Sequence, residues 1–110
     1  MKLLVLILAY NEEKTIQGVI EETRIQLPEA DILVVNDGST DNTKPILDTI
    51  EGIITLHLPF NMGIGGAIWT GFNFFCRRGY EILVRIDGDG QHPPPRAKDL
   101  IEPILRGLAD

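Results

Sequence analysis

The stretch Leu3-Leu4-Val5-Leu6-Ile7-Leu8-Ala9-Tyr10-Asn11-Glu12-Glu13 decides the fold. It opens on an unbroken apolar run and turns polar and acidic from Tyr10 onward. A short apolar run without alternation predicts a strand covered on both faces, as in parallel sheets. The strand is read over Leu3 to Leu8, with Tyr10, Asn11 and Glu12 at its carboxyl tip. The same run is too short for the ~20 residues of a membrane span. It leads into Tyr10-Asn11-Glu12-Glu13 with no small-x-small cleavage site, so a buried first strand accounts for it better than a signal segment.

Further runs of the same kind follow. Ile32 to Val35 and Ile82 to Ile86 are rich in Ile, Leu and Val and predict two more buried strands. Ile53 to Leu58 is interrupted by Thr55 and His57, which places it nearer an edge. Helical spacing fills the intervals. From Glu12 to about Gln26, Ile16, Val19, Ile20 and Thr23 share one face, with Asn11 as the expected N-cap and Pro28 as the stop. A second helix is expected from about Asn42 to Ile50, capped by Asp41. A third runs from about Gly65 to Arg77, with Ile68, Phe72 and Phe75 toward the core, and Trp69 is read as core as well. Arg96 to Gly107 reads as a fourth, after Pro93-Pro94-Pro95. Strand–helix alternation of this kind predicts an α/β fold, an open and mostly parallel sheet with helices on both faces.

The length of 110 residues fits one domain, read as residues 1–110 without a linker or repeat. Ten basic against sixteen acidic residues give a net charge of −6, which argues against binding a nucleic-acid backbone by bulk electrostatics. A phosphorylated small molecule remains open if a metal or backbone N–H groups supply the positive charge. The single cysteine, Cys76, excludes an internal disulfide and a multi-cysteine zinc site, and reads as a small buried hydrophobe.

The chemistry sits where the strands end. Tyr10-Asn11-Glu12 follows the first, Asn36-Asp37-Gly38-Ser39 the second, and Asp87-Gly88-Asp89-Gly90-Gln91-His92 the last. In a parallel sheet these tips share one edge, where open α/β sheets bind ligands. Glu12, Asp37, Asp87 and Asp89 are therefore expected to meet. A tight turn explains one Asp-Gly pair. Two carboxylates two residues apart, directly after a buried strand, repel each other unless a proton or a cation sits between them. Oxygen ligands of this sort suit Mg²⁺ or Mn²⁺. Gln91 can add a carbonyl oxygen, whereas His92 reads equally well as structural.

Weaker signals stand beside these. Asn36-Asp37-Gly38-Ser39-Thr40-Asp41 is a turn rich in capping residues, with Asp37 placed to accept from a nucleobase N–H. Asn61-Met62-Gly63-Ile64-Gly65-Gly66-Ala67 opens a helix, and its glycines suit either packing or a ligand. It is no dinucleotide fingerprint, since Ile68 stands where the last glycine belongs, and no phosphate-binding P-loop or G-x-S-x-G elbow occurs. His57 reads as a core or edge residue.

Taken together, Leu8-Ala9-Tyr10-Asn11-Glu12-Glu13, Val34-Val35-Asn36-Asp37-Gly38-Ser39-Thr40-Asp41, Asn61-x-Gly63-x-Gly65-x-Ala67 and Asp87-Gly88-Asp89-Gly90-Gln91-His92-Pro93-Pro94 resemble the N-terminal half of glycosyltransferase family 2 enzymes with the GT-A fold. Within that family the chain looks closest to the dolichyl- or polyprenyl-phosphate mannose or glucose synthases. Gly88 and Gly90 depart from that branch, which often has Ala and Leu there.

The resemblance implies a Rossmann-like nucleotide-binding half. Ala9, Tyr10 and Glu12 would hold the nucleotide, Asp37 would read the base, and Asn61, Gly63 and Gly65 would line the nucleoside pocket. Asp87 and Asp89 would be the DxD pair on the ribose and on a divalent metal, Mg²⁺ or Mn²⁺, with Gln91 near that metal. The implied reaction is metal-dependent, inverting sugar transfer from a UDP- or GDP-sugar to an acceptor such as a polyprenyl phosphate. The general base is expected beyond the metal motif, so this chain would supply the donor-binding half. The alternative is a non-catalytic nucleotide-binding module of the same fold. The implied location is the cytoplasm or the cytoplasmic membrane face, with membrane contact only through further sequence.

Overall fold

A computed structural model describes residues 2–89. The expectations for Gln91, His92, the proline triplet and the helix from Arg96 to Gly107 lie outside the described residues. In chain order the elements are β1 (Leu3–Ala9), α1 (Ile16–Gln26), β2 (Asp31–Asn36), α2 (Thr43–Thr49), β3 (Ile54–His57), α3 (Gly63–Arg77) and β4 (Ile82–Asp87). The strands form one parallel sheet in the order β3-β2-β1-β4. This is the α/β sheet that the apolar runs predicted, with the interrupted strand β3 at an edge.

The period of two in each strand divides the core in two. Val5, Ile7 and Ala9 of β1, with Ile32 and Val34 of β2 and Val84 and Ile86 of β4, pack against Ile16, Val19 and Ile20 of α1 and Leu47 of α2. Leu4, Leu6 and Leu8, with Leu33, Val35 and Leu83, pack on the other face against Ala67 and Phe75 of α3. Leu4, Val5 and Ile7 are wholly buried, because β1 is paired on both edges and covered on both faces. Each such side chain contributes about 1.5–3 kcal/mol of burial. Cys76 is half-buried against the α3-side core.

Three sequence expectations change in the structure. Helix α1 begins at Ile16 rather than Glu12, and Asn11 does not cap it. Asn11 takes a positive φ of 53°, and its Oδ1 accepts from Thr40 N–H at 2.8 Å and Asp41 N–H at 3.2 Å. The carbonyl of Glu12 accepts from the N–H groups of Thr15 and Ile16, so residues 12–15 form a turn ahead of the helix. Helix α3 starts at Gly63, two residues early. Trp69 is not core; it is 64% exposed. The residues α3 buries are Ala67, Gly71 and Phe75, four apart, and Trp69 points away from that stripe. Gly71 lies against Leu6: a Cβ there would stand 2.5 Å from Leu6 Cδ2, so a larger residue would need Leu6 to move.

Candidate functional site

The tips of β1, β2 and β4 and the start of α3 enclose an open cavity of about 290 Å³. Ala9, Tyr10 and Glu12 line it from β1 and its loop, Asp37 from β2, and Asp87, Gly88 and Asp89 from β4 and its turn. Ile64 and Ala67 form the apolar wall. The four carboxylates that the strand-tip argument grouped therefore do meet.

Asp37 is fixed before any ligand arrives. It is 5% exposed, and its Oδ1 accepts from Met62 N–H at 2.7 Å. Asn61 Nδ2 donates to Asp37 Oδ2 and to its carbonyl, both at 3.3 Å. Gly38 makes this possible. Its φ is +72°, and a Cβ on it would sit 2.3 Å from the backbone N of Asn61 and the carbonyl carbon of Phe60. Only glycine lets the 60–62 segment lie on the tip of β2. A carboxylate has about four acceptor sites, so Asp37 keeps capacity toward the cavity.

The opposite wall is acidic. Asp87 and Asp89 flank Gly88, whose N–H donates to the carbonyl of Leu8 at 2.9 Å. A Cβ at Gly88 would meet that carbonyl oxygen at 2.8 Å, so glycine keeps this turn close against β1. The Thr15 hydroxyl reaches both the Gly88 carbonyl, at 2.7 Å, and Glu12 Oε2, at 3.3 Å. Burial pushes the Glu12 carboxyl up from its ordinary value of 4.5, and the charges of Asp89, Asp41 and Asp87 push it the same way against the Thr15 hydrogen bond. Arg85 pairs with Asp87 at 3.3 Å, both partly exposed.

Hydrogen bonds between loops hold this edge together. Glu12 N–H donates to Thr43 Oγ1 at 2.9 Å, and Asn11 N–H to Ser39 Oγ at 2.9 Å. Burial pushes the Asp41 carboxyl up, but hydrogen bonds from the Thr43 hydroxyl and N–H and from Glu13 N–H outweigh it and hold the carboxyl below its ordinary value.

Of the residues expected from sequence, Ala9, Tyr10, Glu12, Asp37, Asp87 and Asp89 lie on the cavity wall. Asn61 acts on the wall through Asp37. Gly63 and Gly65 do not line it; Ile64 and Ala67 stand there instead. Both belong to the Asn61–Ala67 segment that the sequence singled out, but the glycines rather than these two were expected at the pocket, since nothing in an isolated Ile or Ala marks a ligand. Among the described residues, no three His, Cys, Asp or Glu side chains form a ready metal cluster. The site still fits a divalent ion, because Mg²⁺-type sites use one or two carboxylates and complete their shell with substrate phosphates and water. Glu12, Asp87 and Asp89 bring three carboxylates to the same cavity, negative charge that a cation would offset.

Comparison with known proteins gives the following. The family model described as "Glycosyl transferase family 2" matches residues 4–110. An undecaprenyl-phosphate mannosyltransferase from Micrococcus luteus is 36% identical over 108 residues, covering 94% of this chain and 44% of that protein. Among solved structures, S. aureus TarS 1–349 in complex with UDP superposes with a TM-score of 0.69 at 26% identity, over 81% of this chain and 28% of that one. Glucosyl-3-phosphoglycerate synthase from Mycobacterium tuberculosis, in complex with Mn²⁺, UDP and phosphoglyceric acid, gives 0.65 at 26% identity, over 79% and 32%. The chain thus spans less than half the length of the curated relative it matches. Among the described residues, no helix is long and apolar enough to cross a membrane.

Proposed function

The chain belongs to glycosyltransferase family 2, and we propose that its cavity holds the nucleoside diphosphate of a sugar donor. The observation that carries this reading is the convergence of Glu12, Asp37, Asp87 and Asp89 on one cavity from three strand tips. Asp37, already oriented by Met62 and Asn61, accepts from a base N–H. The Tyr10 ring, 44% exposed on the same cavity, offers a face for stacking. Asp87 and Asp89 take the ribose and the diphosphate end, where they would hold Mg²⁺ or Mn²⁺. That ion, when bound, neutralises the charge that develops on the departing diphosphate. The first turn of α3 brings the positive end of a helix to the same cavity.

The transfer we propose for the whole protein inverts the anomeric carbon, with a polyprenyl phosphate as acceptor, as the name of the M. luteus relative suggests. An acceptor phosphate is already anionic and needs no general base. We assign that role to no residue of this chain.

Calorimetric titration with UDP, GDP and NAD, each with and without Mn²⁺, tests the reading. A diphosphate should bind, should bind more weakly without Mn²⁺, and should lose roughly tenfold in affinity in Asp89→Asn, the loss of one charge-assisted contact. Equal binding with and without Mn²⁺, or a preference for NAD, would sink it.

A further inference from the structure

A hydrogen-bond chain runs from the outer surface to the cavity loops and crosses elements far apart in sequence. Asp48 of α2 faces His57 Nε2 at 3.1 Å. His57 Nδ1, on the edge strand β3, faces Asn36 Nδ2 at 3.0 Å. Asn36 is 2% exposed at the tip of β2, directly before Asp37. Its Oδ1 accepts from Ser39 N–H at 3.3 Å and from the Ser39 hydroxyl. Ser39 Oγ in turn accepts from Asn11 N–H at 2.9 Å, and Asn11 stands between the cavity residues Tyr10 and Glu12.

The two ends fix every direction in between. A backbone N–H can only donate, so Ser39 N–H requires the oxygen of the Asn36 amide on its side. The Asn36 NH₂ is then turned to His57 Nδ1, which must accept. The remaining ring proton lies on Nε2, opposite the Asp48 carboxylate, which can only accept. No link can be reversed without setting two donors against each other. Asn36 is too buried for water to make up a lost partner, and a buried amide left unpaired costs about 1–3 kcal/mol.

We propose that His57 is a positioning residue for nucleotide binding: as a neutral acceptor at Nδ1 it locks the Asn36 amide, and through Ser39 it sets the left-handed turn at Asn11 that presents Tyr10 and Glu12 to the cavity. His57 does not line the cavity. It acts through Asn36 and Ser39. This inference rests on the donor-binding reading for its affinity readout alone.

Two substitutions separate positioning from mere packing. His57→Leu keeps an apolar body and removes the acceptor. His57→Asn restores an acceptor oxygen close to the place of Nδ1. On the full chain with Mn²⁺, UDP or GDP affinity should fall roughly fivefold in His57→Leu, the equivalent of one lost hydrogen bond, and stay within about twofold of wild type in His57→Asn. Wild-type affinity in His57→Leu, or equal loss in both variants, overturns the proposal. Long-range ¹⁵N spectra of the wild type supply a test independent of ligand and of variant folding. They should show His57 protonated at Nε2 and bare at Nδ1, and the opposite tautomer overturns the proposal. If the wild type binds neither diphosphate, the donor-binding reading fails by itself. The amide shifts of residues 10–12 and 39 then decide the inference: displaced in His57→Leu and restored in His57→Asn supports it, and unmoved in both overturns it.

Discussion

Residues that ordinarily cap helices are diverted at this edge to tie loops together. Thr15 and Asp41 sit just ahead of helix starts and Asn11 ahead of the turn that leads into α1, positions where side-chain oxygens usually satisfy free N–H groups. Here Asn11 holds Thr40 and Asp41, and Thr15 holds the Gly88 carbonyl. Asp41 alone keeps a capping contact, to Thr43 N–H at 2.9 Å. Sequence reading marked Asn11 correctly as a polar residue at a turn but misassigned its partners, whereas Asp41, read as the cap of α2, does accept from Thr43 N–H. Local spacing carries no information about a loop thirty residues away. The Gly38 turn gives a sharper residue-scale expectation. Gly38→Ala places a Cβ against Asn61 and Phe60 at a positive φ. It should destabilise the fold by about 2–3 kcal/mol, read by chemical denaturation, because both the backbone region and the contact are unfavourable.

At the scale of elements, the strands were the most legible. Each appeared as an apolar run, and each observed boundary lies within a residue or so of its expected place. The strand tips were legible for the same reason, which is why strand order alone groups Glu12, Asp37, Asp87 and Asp89. Helix α3 was harder, because most of its residues are apolar on every side. Composition then cannot say which stripe meets the sheet. Spacing did say it in part: Ile68, Phe72 and Phe75, read toward the core, pack there, whereas Trp69, read with them, does not. Phe75, wholly buried, and Trp69, largely exposed, should respond accordingly. Phe75→Ala should cost about 3–5 kcal/mol of stability. Trp69→Ala should stay within about 0.5 kcal/mol, measured in the same denaturation series.

Across the whole molecule, the end of the sheet remote from the cavity has its own clasp. The Tyr80 hydroxyl donates to Asp31 Oδ2 at 2.7 Å, joining the start of β2 to the approach to β4 across the start of β1. Lys2 lies over the Tyr80 ring, 4.9 Å from its centroid. Burial, then the Asp31 hydrogen bond and charge, push the Tyr80 hydroxyl from 10.0 up to about 12. The neutral hydroxyl is thus favoured in the folded state. Its contribution is complete below pH 10.0 and is lost as the pH rises through about 12. Tyr80→Phe should be less stable than wild type at neutral pH. The gap between them should narrow over that alkaline window, followed by denaturation at stepped pH. A gap that does not change with pH would contradict the role given to the hydroxyl.

The pairing of β1 with β4 has a kinetic consequence. Their strands meet only after the chain has returned over a long interval; the bond from Lys2 N–H to the Glu81 carboxylate at their start spans 79 positions. Joining such distant segments is the slow kind of event in folding. Asp87 and Asp89 stand at the end of β4, so the acidic wall of the cavity depends on this long-range pairing, whereas Asp37 stands at the tip of β2, which reaches β1 over a shorter interval.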